Sequence, residues 1–318
     1  MNEGSARGVD ISHCDSEPIH IPGAIQPHGV LLALREPDLV VTQATVNAST
    51  LFGCDLTAIV GQPLASLLAA DSLALVREAA DGAYLAEVNP LSLLVGRADC
   101  DGLLHRHQGV LIFEIEPRRP ETIAERTHHP LRRAVAQLQS AATLEALFGA
   151  AAKAVSALTQ FERVMIYRFD EEGHGSVVAE VKPDSLEPYL GLHYPASDIP
   201  RQARELYLRN GIRIIPDARY TPAALVPSLR PDTGAPLDLS FSVLRSVSPI
   251  HLEYLANMGV RASMSVSLVV RDRLWGLISC IDHGAPRYVG YGARSDCELL
   301  ARLMALLIAA FEDRDIAS

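Results

Sequence analysis

The sequence lacks the usual features of a membrane, secreted or nucleic-acid-binding protein. Its longest apolar run, Leu303 to Phe311, is too short to cross a bilayer, and its first residues do not resemble a signal peptide. Acidic residues outnumber basic residues by 38 to 28, so there is no excess of cations to neutralise phosphates. We therefore expect a cytoplasmic protein that binds neither membranes nor nucleic acid.

Cysteine is scarce and follows no metal-binding pattern. The five cysteines are Cys14, Cys54, Cys100, Cys280 and Cys297. They are widely separated and include no CxxC pair, which predicts reduced thiols and no zinc site. The acidic neighbours of Cys14 disfavour its thiolate, so nothing local marks it as a nucleophile. His105 and His107 share one predicted strand face without a third ligand nearby, and we interpret them as a solvated pair.

Length and hydrophobic patterning indicate two domains that contain both helices and strands. The 318 residues, of which 48% are apolar and 21% charged, are enough to bury two cores. In the first half, apolar residues alternate with period 2 or recur at helical spacing. The strands predicted there are Val30 to Arg35, Leu39 to Thr45, Ala86 to Val95 and Leu103 to Ile115, and the helices are Val46 to Phe52 and Pro63 to Ala80.

In the second half, a helical pattern begins at Leu131 and continues towards Thr159. Further predicted strands are Val164 to Asp170, Ser176 to Val181, Ile212 to Ile215, Ser263 to Val270 and Arg273 to Ile281, and further helices are Arg201 to Arg209 and Arg294 to Asp313. The proline-rich stretch Ala218 to Pro236 has little regular pattern, and a loop of this length is usually functional. The apolar stripe of the last helix suits either a partner helix in a dimer or its own sheet.

The last predicted strand pair carries an unusual polar face. Ser263, Ser265 and Ser267 alternate with apolar residues, so their hydroxyls point to one side of the sheet. The same alternation predicts that four residues of the following strand share one face and that Cys280 lies on the opposite face. The four that share a face are Trp275, Leu277, Ser279 and Ile281. Three hydroxyls on one face of a buried sheet indicate a polar partner.

Two short stretches combine prolines with isolated polar residues. In residues 191–200 two prolines bracket Asp198, which on local sequence alone is typical of a helix N-cap. The second stretch is Leu244 to His251. Together with two segments near the N-terminus, these stretches resemble the bilin-cradling motifs of bacteriophytochromes. The matching residues are Glu17 to Gly23, Ile25 to Gly29, Pro195 to Pro200 and Arg245 to His251.

This resemblance, which covers nearly the whole chain, implies an α+β fold in which a PAS domain precedes a GAF domain. Each domain would be an antiparallel sheet flanked by helices. The implied boundaries are an N-terminal segment 1–22, a PAS domain 23–117, a linker 118–130 and a GAF domain 131–318 that ends in a long helix. The family also threads its N-terminal segment through a loop of the GAF domain, a figure-of-eight knot that would place Ile25 inside the loop after Ile215.

The resemblance further implies biliverdin as the cofactor, attached by a thioether to Cys14. In plant and cyanobacterial relatives, the attaching cysteine lies immediately before the histidine of the second stretch, where this chain has Ile250. Cys280 is a poorer candidate, because its strand face is opposite to that of Ile281.

Residue roles follow from the resemblance. Arg213 and Arg245 would pair with the biliverdin propionates, and Ser263 and Ser265 would donate from their hydroxyls. Asp198 would offer its backbone carbonyl to the pyrrole N–H groups, with His251 beside it. The tyrosines implied around the rotating ring are Tyr167, Tyr194, Tyr207 and Tyr254, and the remaining implied pocket residues are Ile199, Pro200, Ser248, Ile281 and His283.

The chain departs from the family at Ile281, where the family has a histidine that hydrogen-bonds the rotating ring. An aliphatic side chain cannot donate that bond. His283 lies two residues further on and would share the face of Ile281 if the strand continued. We expect normal pigment binding, a more loosely held outer ring and altered photoconversion.

The implied function is a red/far-red light receptor that signals through bilin photoisomerisation. By resemblance, the full-length protein would be a light-regulated histidine kinase that dimerises through GAF helices, with its further sensory and kinase domains outside these 318 residues. The alternative is a pigment-free GAF sensor for a small ligand such as a cyclic nucleotide. An enzyme acting on bilins is disfavoured, because the sequence has no GxGxxG motif and no metal-ligand cluster.

Overall fold

The computed structural model of the protein describes residues 17–119 and 130–317. Cys14 therefore lies outside the described residues. The described part of the chain forms two antiparallel sheets with helices packed on them, in agreement with the predicted α+β architecture. Within it, no helix is long and apolar enough to cross a membrane.

The first sheet has seven strands. They are β1 (Ala24–Ile25), β2 (Val30–Arg35), β3 (Val40–Thr45), β4 (Leu91–Val95), β5 (Ala98–His107), β6 (Val110–Pro117) and β11 (Ala223–Val226), in the order β1-β11-β3-β2-β6-β5-β4. Its helices are α1 (Ala48–Phe52), α2 (Ala70–Asp81) and α3 (Leu85–Val88). Alternation along β2 places Leu32 and Leu34 in the core beneath these helices, while Leu31 and Ala33 face the segment that contains β11.

Three predictions for this sheet and its helices were wrong in detail. The helix predicted from Pro63 to Ala80 is a 3-10 turn, Leu64–Ser66, followed by α2, which begins only at Ala70. The strand predicted to begin at Ala86 is interrupted, because 85–88 form α3 and β4 begins only after Pro90, which cannot continue a helix. The strand predicted from Leu103 to Ile115 is a hairpin, because β5 and β6 are joined by Gln108 and Gly109, both with positive φ angles, of 48° and 75°.

The second sheet has six strands. They are β7 (Arg163–Phe169), β8 (Gly175–Val181), β9 (His193–Tyr194), β10 (Ile212–Ile215), β12 (Ala262–Val270) and β13 (Arg273–Asp282), in the order β10-β12-β13-β7-β8-β9. Its helices are α4 (Pro130–Gln139), α5 (Leu144–Thr159), α6 (Arg201–Arg209), α7 (Pro249–Asn257) and α8 (Tyr291–Ala317). Helices α5 and α8 cover one face, where Met264, Val266 and Cys280 are buried.

The helix predicted from Leu131 towards Thr159 is two helices. The break lies at 140–143, and Thr143 caps α5 by accepting a hydrogen bond from the Ala146 amide at 3.2 Å. On α8, Leu303 packs against the core of its own sheet, whereas Leu299 and Leu306 are 51% and 71% exposed. The helix therefore serves its own sheet and also leaves two apolar side chains in solvent.

The predicted face of Trp275 was wrong, because a β-bulge interrupts the alternation of β13. Leu268 pairs with Gly276 and Val269 with Leu274, so Trp275 is the extra residue on β13. Its ring packs against Phe148 of α5 at a centroid distance of 5.4 Å. Trp275 thus lies on the helix side of the sheet, while Leu277 lies on the opposite side.

The N-terminal segment is held between distant parts of the chain. β1 pairs with β11, and Ile25 is also bridged to Arg245. Ile25 is fully buried in a core shared with Leu225, Leu239 and Leu244. The stretch predicted as irregular therefore supplies a strand to the first sheet. The threading of residues 17–25 through this loop stays a prediction.

The interpretation of His105 and His107 as a solvated pair was wrong. Both side chains are 20% exposed and pack edge-on against Phe241. His107 Nε2 lies 3.1 Å from a carboxylate oxygen of Asp238, and His105 Nδ1 lies 3.9 Å from the buried Glu114. These histidines join the first sheet to the loop that precedes Arg245.

Candidate ligand-binding site

Two adjoining cavities lie on the face of the second sheet opposite α5 and α8. The inner cavity, of about 120 Å³, is lined by the sheet residues Met165, Tyr167, Leu277 and Ile281 among others. The outer cavity, of about 540 Å³, opens between α6, α7 and the N-terminal segment. The lining residues that they share are Asp198, Ile199, Tyr207, Arg213, His251 and Tyr254. The outer cavity is large enough for a sizeable organic ligand.

Most of the site residues predicted from sequence line these cavities. Tyr167, Tyr194, Ser263, Ser265 and Ile281 belong to the inner cavity only. Pro200, Arg245 and Ser248 belong to the outer cavity only, beside the six shared residues. The structure therefore brings together residues from β7, β9, β10, β12, β13, α6 and α7.

His283 is the described candidate that the structure places elsewhere. β13 ends at Asp282, so the alternation that would have brought His283 beside Ile281 does not continue. The His283 amide donates to Glu162 Oε1 at 2.7 Å, and its ring nitrogen Nδ1 contacts the same oxygen. His283 does not line either cavity in the described part of the chain.

Two arginines supply positive charge at the cavity wall. Both Nη atoms of Arg213 and the Nε atom of Arg245 are buried without a hydrogen-bond partner among the described residues. Arg245 Nη1 donates to the Ile19 carbonyl at 3.3 Å. Burial and the charge of Arg213 lower the pKa of Arg245 to about 9, and burial also lowers the pKa of Arg213. Two desolvated cations close to one another favour a ligand that carries two negative charges.

Asp198 and its neighbours form a polar cluster where the two cavities meet. Asp198 ends the 3-10 turn Ala196–Asp198, and Tyr254 Oη donates to its Oδ2 at 3.4 Å. The N-cap position of α6 is Pro200, so the local interpretation of Asp198 as the cap was wrong. The His251 ring stacks on Tyr254 with centroids 6.2 Å apart. Burial and then the charge of Arg213 lower the pKa of His251 to about 4, so its imidazole is neutral at pH 7.

The three serines that share a face of β12 have different surroundings: two line a cavity, and the third supports the fold. Ser263 and Ser265 line the inner cavity together with Ser279 from β13. Ser267 instead donates from its hydroxyl to the Tyr207 carbonyl at 2.7 Å, and so ties α6 to the sheet. Ser248 caps α7 and donates to Glu17 Oε2 at 2.6 Å.

The aromatic part of the inner cavity is also built by packing. The Tyr167 and Tyr194 rings lie 5.9 Å apart, and burial raises the pKa of Tyr167 to about 12, so its phenol stays protonated. Sequence reasoning missed Tyr189, whose ring lies under the Arg163 guanidinium at 3.8 Å. It also missed the apolar lining, which consists of Met165, Val177, Ile215, Leu255, Met258, Val260 and Leu277. Strand alternation with Tyr167 could have found Met165, whereas Met258 and Val260 follow α7 and carry no such signal.

Comparisons with known proteins agree with this architecture. The family model for the PAS fold matches residues 14–118, and the model for the GAF domain matches residues 143–311. The chain is 45% identical to cyanobacterial phytochrome B of Nostoc sp. over 96% of its length, and 40% identical to a bacteriophytochrome of Pseudomonas aeruginosa over 97%. It spans 42% of each of these relatives. In the described part of the chain, no group of three or more potential ligands could hold a metal ion.

A solved structure extends the comparison to the fold of the whole chain. The wild-type chromophore-binding domain of Stigmatella aurantiaca phytochrome superposes with a TM-score of 0.88 at 50% sequence identity, and the match covers 93% of this chain and 99% of that one. The chain thus has the PAS-GAF fold of phytochrome chromophore-binding domains. It belongs to the bacteriophytochrome family.

Proposed function

We propose that this chain binds biliverdin covalently and forms the light-sensing part of a red/far-red photoreceptor. One observation supports this above all. Two desolvated arginines, several of whose nitrogens lack a hydrogen-bond partner among the described residues, line a cavity of about 540 Å³ that adjoins an aromatic inner cavity. A linear tetrapyrrole with two propionates and a conjugated ring system matches the positive charge of the wall and the size and aromatic lining of this pair of cavities.

Arg213 and Arg245 bind the propionates. Their free N–H groups gain charge-assisted hydrogen bonds, and the ligand's charges offset the repulsion between the two guanidinium groups. Ser263 and Ser265 add hydroxyl donors beside Arg213 in the inner cavity.

Asp198 and His251 orient the pyrrole rings at the junction of the cavities. The Asp198 backbone carbonyl accepts hydrogen bonds from the pyrrole N–H groups, and the neutral imidazole of His251 lies beside it. Bound biliverdin supplies a conjugated system whose double bond isomerises on absorbing light. Tyr167, Tyr194, Tyr207 and Tyr254, which line the inner cavity, surround the ring that rotates.

Cys14 is the proposed attachment residue. Glu17 and Ile19 line the outer cavity, and Cys14 precedes Glu17 by three residues, a span of at most about 11 Å. Cys280 is fully buried on the helix side of the sheet, where burial raises the pKa of its thiol well above the ordinary value. A buried, protonated thiol on the wrong face cannot take this role.

The output is proposed from the family. A change of ring position in the cavities is passed to α8, where the exposed side chains of Leu299 and Leu306 offer an apolar surface for a second copy of the chain. Because the curated relatives are more than twice as long, a histidine kinase region in the full-length protein is part of this proposal.

The test is pigment attachment. Biliverdin is added to the purified protein, the visible spectrum is recorded before and after red light, and a denaturing gel is stained with zinc to detect bound pigment. We expect a far-red-shifted, photoconvertible band and retained pigment in the native protein and in the control Cys54→Ser, and loss of retained pigment in Cys14→Ser. If the native protein produces no such band, the proposal fails, and a pigment-free GAF sensor becomes the better interpretation.

A further inference from the structure

The side chain of Gln26 joins the two stretches of backbone that carry the cavity arginines. Gln26 is 1% exposed and lies between β1 and β2. Its Nε2 donates to the carbonyl of Ile214, the residue after Arg213, at 2.8 Å, and to the carbonyl of Arg245 at 3.3 Å. One amide group from the N-terminal segment thus contacts the backbone next to both cations.

The contact to Ile214 is possible because β10 is an edge strand. One side of β10 pairs with β12, and the other side has no strand beside it in the described sheet. Carbonyls on such an edge need other donors. The Gln26 side chain supplies one of them and thereby fixes the backbone next to Arg213.

The backbone around Gln26 holds Arg245 from a second direction. The backbone N–H of Gln26 donates to the Leu244 carbonyl at 2.8 Å, and the backbone N–H of Ser246 donates to the Ala24 carbonyl at 3.1 Å. Arg245 is therefore flanked on both sides by hydrogen bonds to residues 24–26. Its own carbonyl accepts from the Gln26 side chain.

This arrangement addresses a physical problem of the site. Arg213 and Arg245 repel each other in a desolvated wall, and several of their nitrogens have no hydrogen-bond partner in the described structure that would fix the side chains. Their spacing is therefore set mainly by the backbone that carries them. We infer that Gln26 is a positioning residue, which sets the distance between Arg213 and Arg245 for a ligand with two carboxylates. This inference rests on the proposed function.

The chain offers a matched control in Gln43. Gln43 is fully buried, and its Nε2 donates to the Pro227 carbonyl at 2.8 Å. Like Gln26, it has an Oε1 atom without a partner among the described residues, and it ties the first sheet to the long connection after β10. Among the hydrogen bonds of the described residues, none joins the Gln43 side chain to the backbone of Arg213 or Arg245. Loss of the Gln43 hydrogen bond should therefore lower the stability of the fold as loss of the Gln26 hydrogen bonds does, but it should not change the distance between Arg213 and Arg245.

The experiment measures binding of two probes, biliverdin and biliverdin dimethyl ester, in which both propionates are neutral. Both are titrated at equilibrium into Gln26→Met and Gln43→Met, in a Cys14→Ser background so that binding is reversible. We expect Gln26→Met to weaken binding of the free acid by about tenfold while binding of the ester changes less than twofold, because only the acid uses both charges. Gln43→Met should leave the ratio of the two affinities unchanged, and thermal unfolding should report similar losses of stability for both variants.

Three outcomes decide the inference. If the ratio of acid affinity to ester affinity is the same in Gln26→Met as in the parent protein, the inference about Gln26 is overturned. The proposed function is not affected by that result. A parent protein that binds neither probe contradicts the proposed function, and the inference falls with it. If Gln26→Met shows no cooperative unfolding, Gln26→Asn takes its place, since the shorter amide retains polarity but cannot reach both carbonyls, and the same loss of ratio is expected.

Discussion

At the scale of single residues, position 281 has the clearest consequence. Ile281 is 5% exposed and lines the inner cavity beside Tyr167 and Ser263, so a side chain there contacts whatever occupies the cavity. It offers no hydrogen bond, and His283 is engaged with Glu162. The outer ring of a bound bilin would therefore be held by packing alone at this point.

We expect Ile281→His to change both the absorption spectrum and the yield of photoconversion, because an imidazole restores a donor to the outer ring. Ile281→Leu, which keeps the apolar character, should leave both nearly unchanged. Absorption spectra and photoconversion yields under red light are the measurement. Identical yields and spectra in the native protein and Ile281→His would contradict the role assigned to this position.

Buried histidines give a pH-dependent stability at the same scale. Burial, as the first cause, lowers the pKa of His28, His105 and His251 from 6.5 to about 4 in the folded protein. The unfolded state therefore binds more protons between pH 6.5 and 4, and stability falls as the pH is lowered through this window. Glu114 opposes this effect, because burial raises its pKa from 4.5 to about 7 and its folded form binds more protons between those values.

Burial also raises the pKa of Asp296 and Glu298, which act in the same direction as Glu114. Because the three histidines have large pKa shifts, and Glu114 is the one carboxylate among the described residues with a comparably large shift, we expect the free energy of unfolding of the pigment-free protein to decrease from pH 6.5 to pH 4.5. His251→Gln should reduce the slope of the free energy of unfolding against pH, by at most the contribution of one proton bound in the unfolded state. His193→Gln, at an exposed position, serves as the control and should leave the slope unchanged. Urea denaturation at a series of pH values measures the slope, and equal slopes in the native protein and His251→Gln would refute the prediction.

At the scale of elements, a buried ion pair connects β6 to α8. Arg294, 3% exposed, donates to both carboxylate oxygens of Glu116 at 2.5 and 3.0 Å. Burial alone would raise the pKa of Glu116, but the Arg294 guanidinium outweighs this and holds it below the ordinary value. The last helix is therefore fixed to the first sheet as well as to its own.

Arg294→Met should destabilise the protein by about 3 to 5 kcal/mol, because it leaves the Glu116 carboxylate buried without its partner. The double variant with Glu116→Gln should recover part of this loss. The control is Arg201→Met, which breaks an exposed pair with Glu205 and should cost at most about 1 kcal/mol. Chemical denaturation measures all three, and equal losses for Arg294→Met and Arg201→Met would contradict the assignment.

At the scale of the whole molecule, the two family domains are joined by more than a linker. β11 follows β10 of the second sheet yet lies within the first sheet, and Glu114 accepts hydrogen bonds from the Val243 and Leu244 amides at 3.2 and 2.7 Å. The site itself needs both units, because Arg245 is held by residues 24–26 while Arg213 is carried by β10.

We therefore expect the pigment-free protein to unfold in a single transition despite its two domains. Scanning calorimetry should give one peak whose calorimetric and van't Hoff enthalpies agree. Biliverdin at 100 times its Kd should stabilise the Cys14→Ser protein by about 2.7 kcal/mol through mass action. Two separate peaks in the pigment-free protein would contradict the cooperative coupling.

The sequence alone was sufficient for the parts of the fold that depend on local order. Strand alternation predicted the face shared by Ser263 and Ser265, and most of the site residues predicted from the resemblance lie in the lining of the two cavities. The PAS-then-GAF order also followed from these stretches. These features can be predicted because a few consecutive positions determine them. The positions set the direction of each side chain along a strand, and they contain the residue types that a dianionic ligand requires.

Other features were decided only by tertiary structure. The bulge at Trp275 reversed one face, the end of β13 removed His283 from the cavity, and the loop from Asp238 to Phe241 covered His105 and His107. Gln26 lies in one of the motif stretches, but nothing local indicated its role, because that role depends on the carbonyls of Ile214 and Arg245, far away in the chain. Which backbone groups meet across the molecule is set by the packing of sheets and loops, and no short sequence pattern encodes it.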